Sequence, residues 1–278
     1  MITRFVSALV RAIFVVLLIA TPWLLMPGPN DSAPIVLLVA IFVGWLVFSE
    51  YMTEYPSLIE FRDAPPYNRL RFGALFATVL VLTLIQRGVQ YPTPISQIFT
   101  SISHVVGTAM DFPFSPVRLM MLTLPEGTHS ADYDLLRRTA GIAYLMSLIS
   151  LVFFIFIMWL NGWPRQNGSF NVWTNLPTFD PTGGGDVVGR LNRDANLYVA
   201  LGFLLPFLIP AMLKMASGVI DPIAVDQPKS LIWTISLWAF IPSSLLMRGI
   251  ATARVASMIA DKRRRSMDRD AEDLHVFG

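Results

Sequence analysis

Thr139–Leu160 reads TAGIAYLMSLISLVFFIFIMWL, twenty-two residues without a charge. As an α-helix it would be about 33 Å long, enough to cross a hydrocarbon core of about 30 Å. Its apolar side chains run all the way round the helix. A soluble amphipathic helix confines them to one stripe, so this segment needs lipid or protein on every side.

Working outward, five more segments read as membrane spans: about Phe5–Met26, Ala33–Ser49, Arg71–Gln86, Asn196–Ala216 and Ser230–Ile250. The first resembles a signal peptide in its basic start and apolar middle. It ends in Trp23-Leu24-Leu25-Met26-Pro27, not in a small-x-small cleavage site, so it reads as a retained span. The expected fold is all-α, a polytopic bundle of about six transmembrane helices. It forms one domain over 1–265, with a short polar cytoplasmic tail over 266–278.

The composition agrees. The 278 residues are 54% hydrophobic and only 14% charged, with a mean hydropathy of +0.56; soluble chains carry about 25% charged residues. The apolar excess excludes disorder. Zero Cys excludes disulfides, thiolate catalysis, iron–sulfur clusters and Cys-based zinc sites. A net charge of +2 is not the footprint of a nucleic-acid binder, and no nucleic-acid partner is expected.

Aromatic side chains mark the span ends: Trp23, Trp45, Tyr51, Tyr55, Trp159, Trp163, Tyr198 and Trp233. Such rings favour the headgroup level. Six spans put both termini on one side, and placing them in the cytoplasm sets fifteen Lys and Arg inside against six outside. The positive-inside rule therefore predicts N-in, C-in topology. The Arg-heavy, Lys-poor usage suits a GC-rich bacterium, hence a bacterial inner membrane. Arg137-Arg138 at the start of the fourth span oppose this orientation locally. They would fit a variant in which Ile95–Met110 crosses and the fifth span, with Pro206 and Pro210, re-enters.

Ile95–Met110 (ISQIFTSISHVVGTAM) otherwise reads as a surface or re-entrant helix. Glu50–Leu70 gathers charged residues around Pro56, Pro65 and Pro66, and its apolar Leu58, Ile59 and Phe61 suggest a structured turn whose ion pairs are weak surface contacts. Thr182-Gly183-Gly184-Gly185-Asp186 lacks the Lys of a phosphate loop and the spacing of a dinucleotide fingerprint, and reads as a turn.

No acid falls within the six predicted spans, whereas cation-coupled carriers place a carboxylate at mid-membrane. The intramembrane cations are Arg11, Lys214 and Arg248, with Arg11 deepest, so a carbonyl, a lipid phosphate or a subunit carboxylate is expected beside it. His104, with Thr100 and Thr108 four residues either side, is the one candidate ligand for a bacteriochlorophyll or haem. A hydrogen-bonded interface histidine is the plainer reading, and no cofactor is predicted beyond bound lipid. No catalytic constellation and no metal site follows from the spacing.

Packing is better marked. Small residues four apart let helices approach closely: Ala40 and Gly44, Gly73 and Ala77, and Gly249, Ala253 and Ser257 beyond the sixth span. The last ridge leads into Lys262-Arg263-Arg264-Arg265, expected to contact anionic lipid or a partner. Pro206, Pro210 and Pro242 suit kinked helices, as in carriers.

Taken together, the sequence points to a non-catalytic integral membrane subunit, or an assembly or stabilising factor, of a larger inner-membrane complex such as an energy-transducing one. Its partners would be lipids and other membrane subunits. One alternative is a carrier or channel for a small molecule or lipid. Another is an intramembrane enzyme acting on lipid, with Arg11, Arg62 and Arg69 as phosphate contacts.

Overall fold

The computed structural model describes residues 2–26, 33–125, 127–164, 170–180, 182, 184–216, 225 and 227–276. Residues 27–32, between the first two predicted spans, and Gly183 of the predicted glycine turn lie outside them. Within them the chain is all-helical: α1 Ile2–Leu25, α2 Ala33–Met52, α3 Tyr67–Gln90, α4 Pro94–Met110, α5 Pro116–Met121, α6 Ser130–Leu160, α7 Val172–Asn175, α8 Val187–Ala216 and α9 Pro228–Val276. Six of these, α1, α2, α3, α6, α8 and α9, are long and apolar enough to cross a membrane. The chain is a multi-pass helical membrane protein.

Two clusters of buried side chains divide the bundle along its axis. One unites Leu18 of α1, Leu82 and Ile85 of α3, Leu136 and Ala140 of α6, and Ile235 of α9. The other unites Tyr67 at the start of α3, Phe154 and Met158 at the end of α6, Leu191 at the start of α8, and Met247 and Val255 late in α9. Successive spans thus alternate in direction, and α6 starts at the end of the bundle where α3 finishes. The variant with a crossing Ile95–Met110 and a re-entrant fifth span does not fit, because α8 runs unbroken between the clusters. Arg137 and Arg138 both pair with Asp134, at 2.5 and 2.9 Å.

The helix α4 packs on α3 and α6 without being among the spans. Its N-terminus is closed by a reciprocal capping box between Thr93 and Ser96. Its inward residues are small, Ser96, Ser103 and Gly107, while Ile95, Ile98, Ile102 and Val105 point outward. This inside-out pattern suits a helix whose apolar stripe meets lipid. The close approach is set by glycines: a Cβ on Gly141 of α6 would lie 2.6 Å from the Gly107 Cα.

The prolines of α8 do not break it. Pro210 has no N–H to give the carbonyl four residues earlier, that of Pro206, and the Trp238 indole of α9 donates to it instead at 3.2 Å. The backbone of α8 is therefore not unwound at these prolines, as a discontinuous-helix carrier site would need it to be.

The pair α8–α9 is the most extensive helix contact. Both helices run past the spans predicted from sequence, and α9 alone is 49 residues, about 74 Å. The stretch 266–276 continues α9, so the expected short tail is the end of a helical stem. Asp186 caps α8 through the Val188 and Gly189 N–H groups and pairs with Arg263 at 2.8 Å. Arg263, then those N–H groups, hold its carboxyl below the usual range. The clamp thus stands through neutral pH and is lost only as pH falls below the ordinary carboxylate range.

Candidate functional site

Where α1, α3 and α9 fail to close on one another, the segment 53–66 covers a half-open cleft of about 1100 Å³. The three spans meet weakly on this side, since α1 touches α9 only marginally. One wall is apolar: Val10, Phe14 and Leu18 of α1, Phe72 and Leu75 of α3, and Phe240 of α9. The other is basic, with Arg11, Arg62, Arg69, Arg71 and Arg248 against Glu60 alone. A smaller annex of about 400 Å³ shares Ser7, Arg11, Tyr51 and Arg62 and adds Arg4, Glu54 and Asp63.

The covering segment is more than a surface turn. Glu50, in the last turn of α2 and just past the predicted span, is buried. Its carboxylate accepts from the backbone N–H groups of Ser57 (3.0 Å) and Leu58 (2.9 Å) and from the Ser57 hydroxyl (2.7 Å). Phe61 is buried against Tyr67 and Trp163, and the Trp163 indole donates to the Ala64 carbonyl at 3.3 Å. Trp163, expected in the interfacial belt, is thus a core residue at 3% exposure. The charges expected to be weak surface contacts are structural: Glu60, 8% exposed, takes both Arg248 and the Thr178 hydroxyl (2.8 Å).

The five arginines differ in what they already hold. Arg62 is spent: it donates to the carbonyls of Glu50 (2.8 Å), Thr53 (2.7 Å) and Glu54 (3.1 Å) and pairs with Asp63 at 3.2 Å. Arg248 is paired with Glu60 and lies 4.0 Å over the Tyr198 ring, so it does not simply snorkel from a span end. Arg11 donates to the Ser7 hydroxyl at 2.5 Å and sits 4.2 Å over the Tyr51 ring. Arg71 donates to the Ser244 hydroxyl at 2.5 Å and stacks on Tyr67, with its Nε buried and without an acceptor. Arg69 is exposed at the rim. Arg11, Arg69 and Arg71 thus face the cleft with no carboxylate in contact among the described residues. The lining hydroxyls of Ser7, Ser244 and Thr178 are engaged in holding arginines or Glu60.

No protein-family model, curated protein or solved structure matches the chain.

The other nominated residues fall outside the cleft. His104 is exposed on α4, and its carbonyl accepts from Thr108 at 2.9 Å. Among the described residues no group of three or more His, Asp or Glu is poised to hold a metal. The ridge Ala40–Gly44 packs α2 on α1, where a Cβ on Gly44 would sit 2.6 Å from Val16 Cγ2. Gly73 has nothing within 4 Å of a Cβ position, so among the described residues no helix approaches closely there, and Ala77 is half-buried. The third ridge is split: Gly249 docks on α8, with Ala195 O 2.8 Å from a Cβ position, while Ala253 and Ser257 are exposed. Of the basic cluster, Arg263 is engaged with Asp186 and Arg264 with Asp261 at 3.0 Å; Lys262 and Arg265 are exposed.

Sequence reasoning named Arg11, Arg62 and Arg69, and all three line the cleft. It missed Arg71, taken as the start of a span, and the pair Glu60–Arg248, which lie 188 positions apart.

Proposed function

We propose that this is a lipid-handling protein of the bacterial inner membrane, with both termini cytoplasmic, which holds an anionic amphiphile in the cleft between α1, α3 and α9. The observation that carries the reading is the polarity of the cleft along the membrane normal. Arginines lie at the end where α1 begins, and apolar side chains continue toward mid-membrane, as the head and chain of a lipid in that leaflet would. From Arg11 to Leu18 the wall descends about 10 Å, a third of the hydrocarbon core. A guanidinium inside a span without a carboxylate, as on Arg11, is costly, and an anionic headgroup offsets the cost. The lining hydroxyls orient charge, which favours binding over attack by a serine or threonine nucleophile.

The test is purification in mild detergent followed by lipid analysis by native mass spectrometry. Anionic lipid retained above its share in the membrane is expected, and a lipid complement matching the bulk membrane would sink the reading. For topology, periplasmic reporters fused after Ser32 and cytoplasmic reporters at Gly278 should both be active. A periplasmic signal at Gly278 would overturn the N-in, C-in assignment.

A second reading, a non-catalytic subunit or assembly factor of a larger inner-membrane complex, is favoured by the stem of α9. There the exposed Ala253 and Ser257 continue a small-residue face beyond the docked Gly249. Ala253→Leu should leave the folded chain unchanged, within about 0.5 kcal/mol, and should remove partner subunits from a native-membrane pull-down. If every partner of the parent is retained, that face is not a docking surface.

A further inference from the structure

Resting on the reading of the cleft as an amphiphile site, we infer that its ligand carries a terminal phosphate or diphosphate, as in a phosphatidate-type or isoprenoid-phosphate lipid, and not the phosphodiester of a capped headgroup. The inference comes from counting unmet donors. Arg62 is saturated by three carbonyls and Asp63, and the charge of Arg248 is neutralised by Glu60, with only its buried Nε left without an acceptor. Three guanidinium groups remain that face the cleft from different elements: Arg11 on α1, and Arg69 and Arg71 in the first turns of α3. Each presents N–H donors in a planar fork suited to phosphate oxygens. A phosphodiester offers one negative charge and two free oxygens. A terminal phosphate offers three oxygens and a second charge, which better matches three forks.

The same geometry disfavours a zwitterionic headgroup. An ammonium would need a free carboxylate among the arginines. In the main cleft Glu60 is taken by Arg248 and Thr178, and Arg11 lies over the Tyr51 ring. Glu54 and Asp63 line the annex, where Asp63 is paired with Arg62 and Arg4 and Arg11 add opposing charge. A capped headgroup would have to project past the covering segment 53–66, which Glu50 and Phe61 pin in place. The apolar wall then requires a chain on the phosphate, and free inorganic phosphate would leave Phe14, Phe72 and Phe240 unused.

The full-length protein in phosphatidylcholine nanodiscs doped with equal amounts of phosphatidic acid, phosphatidylglycerol or phosphatidylethanolamine tests this by native mass spectrometry. Phosphatidic acid should be retained at least about tenfold over phosphatidylglycerol, since one charge-assisted hydrogen bond more is worth about that factor. Arg69→Ala, at an exposed position that leaves the fold intact, should cut phosphatidic acid retention about tenfold and phosphatidylglycerol retention by a smaller factor. Arg71→Lys keeps the charge and loses the fork, and should cost a smaller factor. Equal retention of phosphatidic acid and phosphatidylglycerol, both above phosphatidylethanolamine, would overturn the terminal-phosphate inference and leave the amphiphile reading standing. Equal retention of all three would overturn both. Inorganic diphosphate binding as tightly as phosphatidic acid, by calorimetry on the same nanodiscs, would overturn the lipid source.

Discussion

Gly249→Leu is expected to lower the stability of the bundle by about 3 kcal/mol, the upper end of the usual cost of overpacking. Gly202→Leu should do the same from the other helix. A Cβ on Gly249 would lie 2.8 Å from the Ala195 carbonyl and 3.1 Å from the Val199 nitrogen; one on Gly202 would lie 2.8 Å from the Pro242 carbonyl and 2.9 Å from the Leu246 nitrogen. These are backbone atoms, so neither site is relieved by a rotamer change, and the two long helices must separate. Since α8–α9 is the largest contact in the chain, separation also loosens the cluster around Leu191, Met247 and Val255. Titration with a denaturing detergent gives the measurement, with Gly73→Leu as the control because its Cβ position is open. An unfolding midpoint for Gly249→Leu equal to that of Gly73→Leu would show that close α8–α9 approach at Gly249 does not limit stability.

These glycines also show where the sequence was readable and where it was not. A span declares itself because about 20 apolar residues in a row have few other uses, and all six appear as helices at the expected places. A ridge of two small residues on one helix, such as Ala40 and Gly44, is likewise visible. Lone glycines at a helix crossing leave no local signature. Gly107 with Gly141, and Gly202 opposite Leu246, could not be paired without the fold. The ridge Gly249–Ala253–Ser257 was visible as a pattern, but not its division: α8 extends beyond its own span and meets Gly249, while Ala253 and Ser257 stay exposed.

The cleft was half legible. Arg11 stood out because a charge deep in a span is expensive, and Arg62 and Arg69 because they flank the spans on the same side. Arg62 proved to be a lock on the covering segment and not a free contact. Glu60 read as a loop charge and Arg248 as an intramembrane cation without a named partner, because their meaning is in the pair and the pair spans most of the chain.

Glu60→Gln is expected to have opposite effects on the empty and the occupied protein. In the parent, Glu60 is 8% exposed and neutralises Arg248, whose side chain is 26% exposed. The amide keeps the shape and can still accept one hydrogen bond, but the guanidinium loses its counter-charge. Breaking a fully buried pair costs about 3–5 kcal/mol; with partial exposure of Arg248 the loss should be about 2 kcal/mol in delipidated protein. The substitution also removes the only carboxylate from a main cleft lined by five arginines. An anionic headgroup should then bind more tightly, and added phosphatidic acid should restore more stability to Glu60→Gln than to the parent. The second substitution Arg248→Met, made in the Glu60→Gln background, removes the orphaned charge and should recover part of the loss without lipid, because apolar replacement of a buried pair is often neutral. Unfolding midpoints of the three proteins, with and without phosphatidic acid, separate the contributions. If the double variant is no more stable than Glu60→Gln alone, Arg248 is not the group that suffers. If phosphatidic acid stabilises Glu60→Gln no more than the parent, the glutamate does not share the headgroup's site.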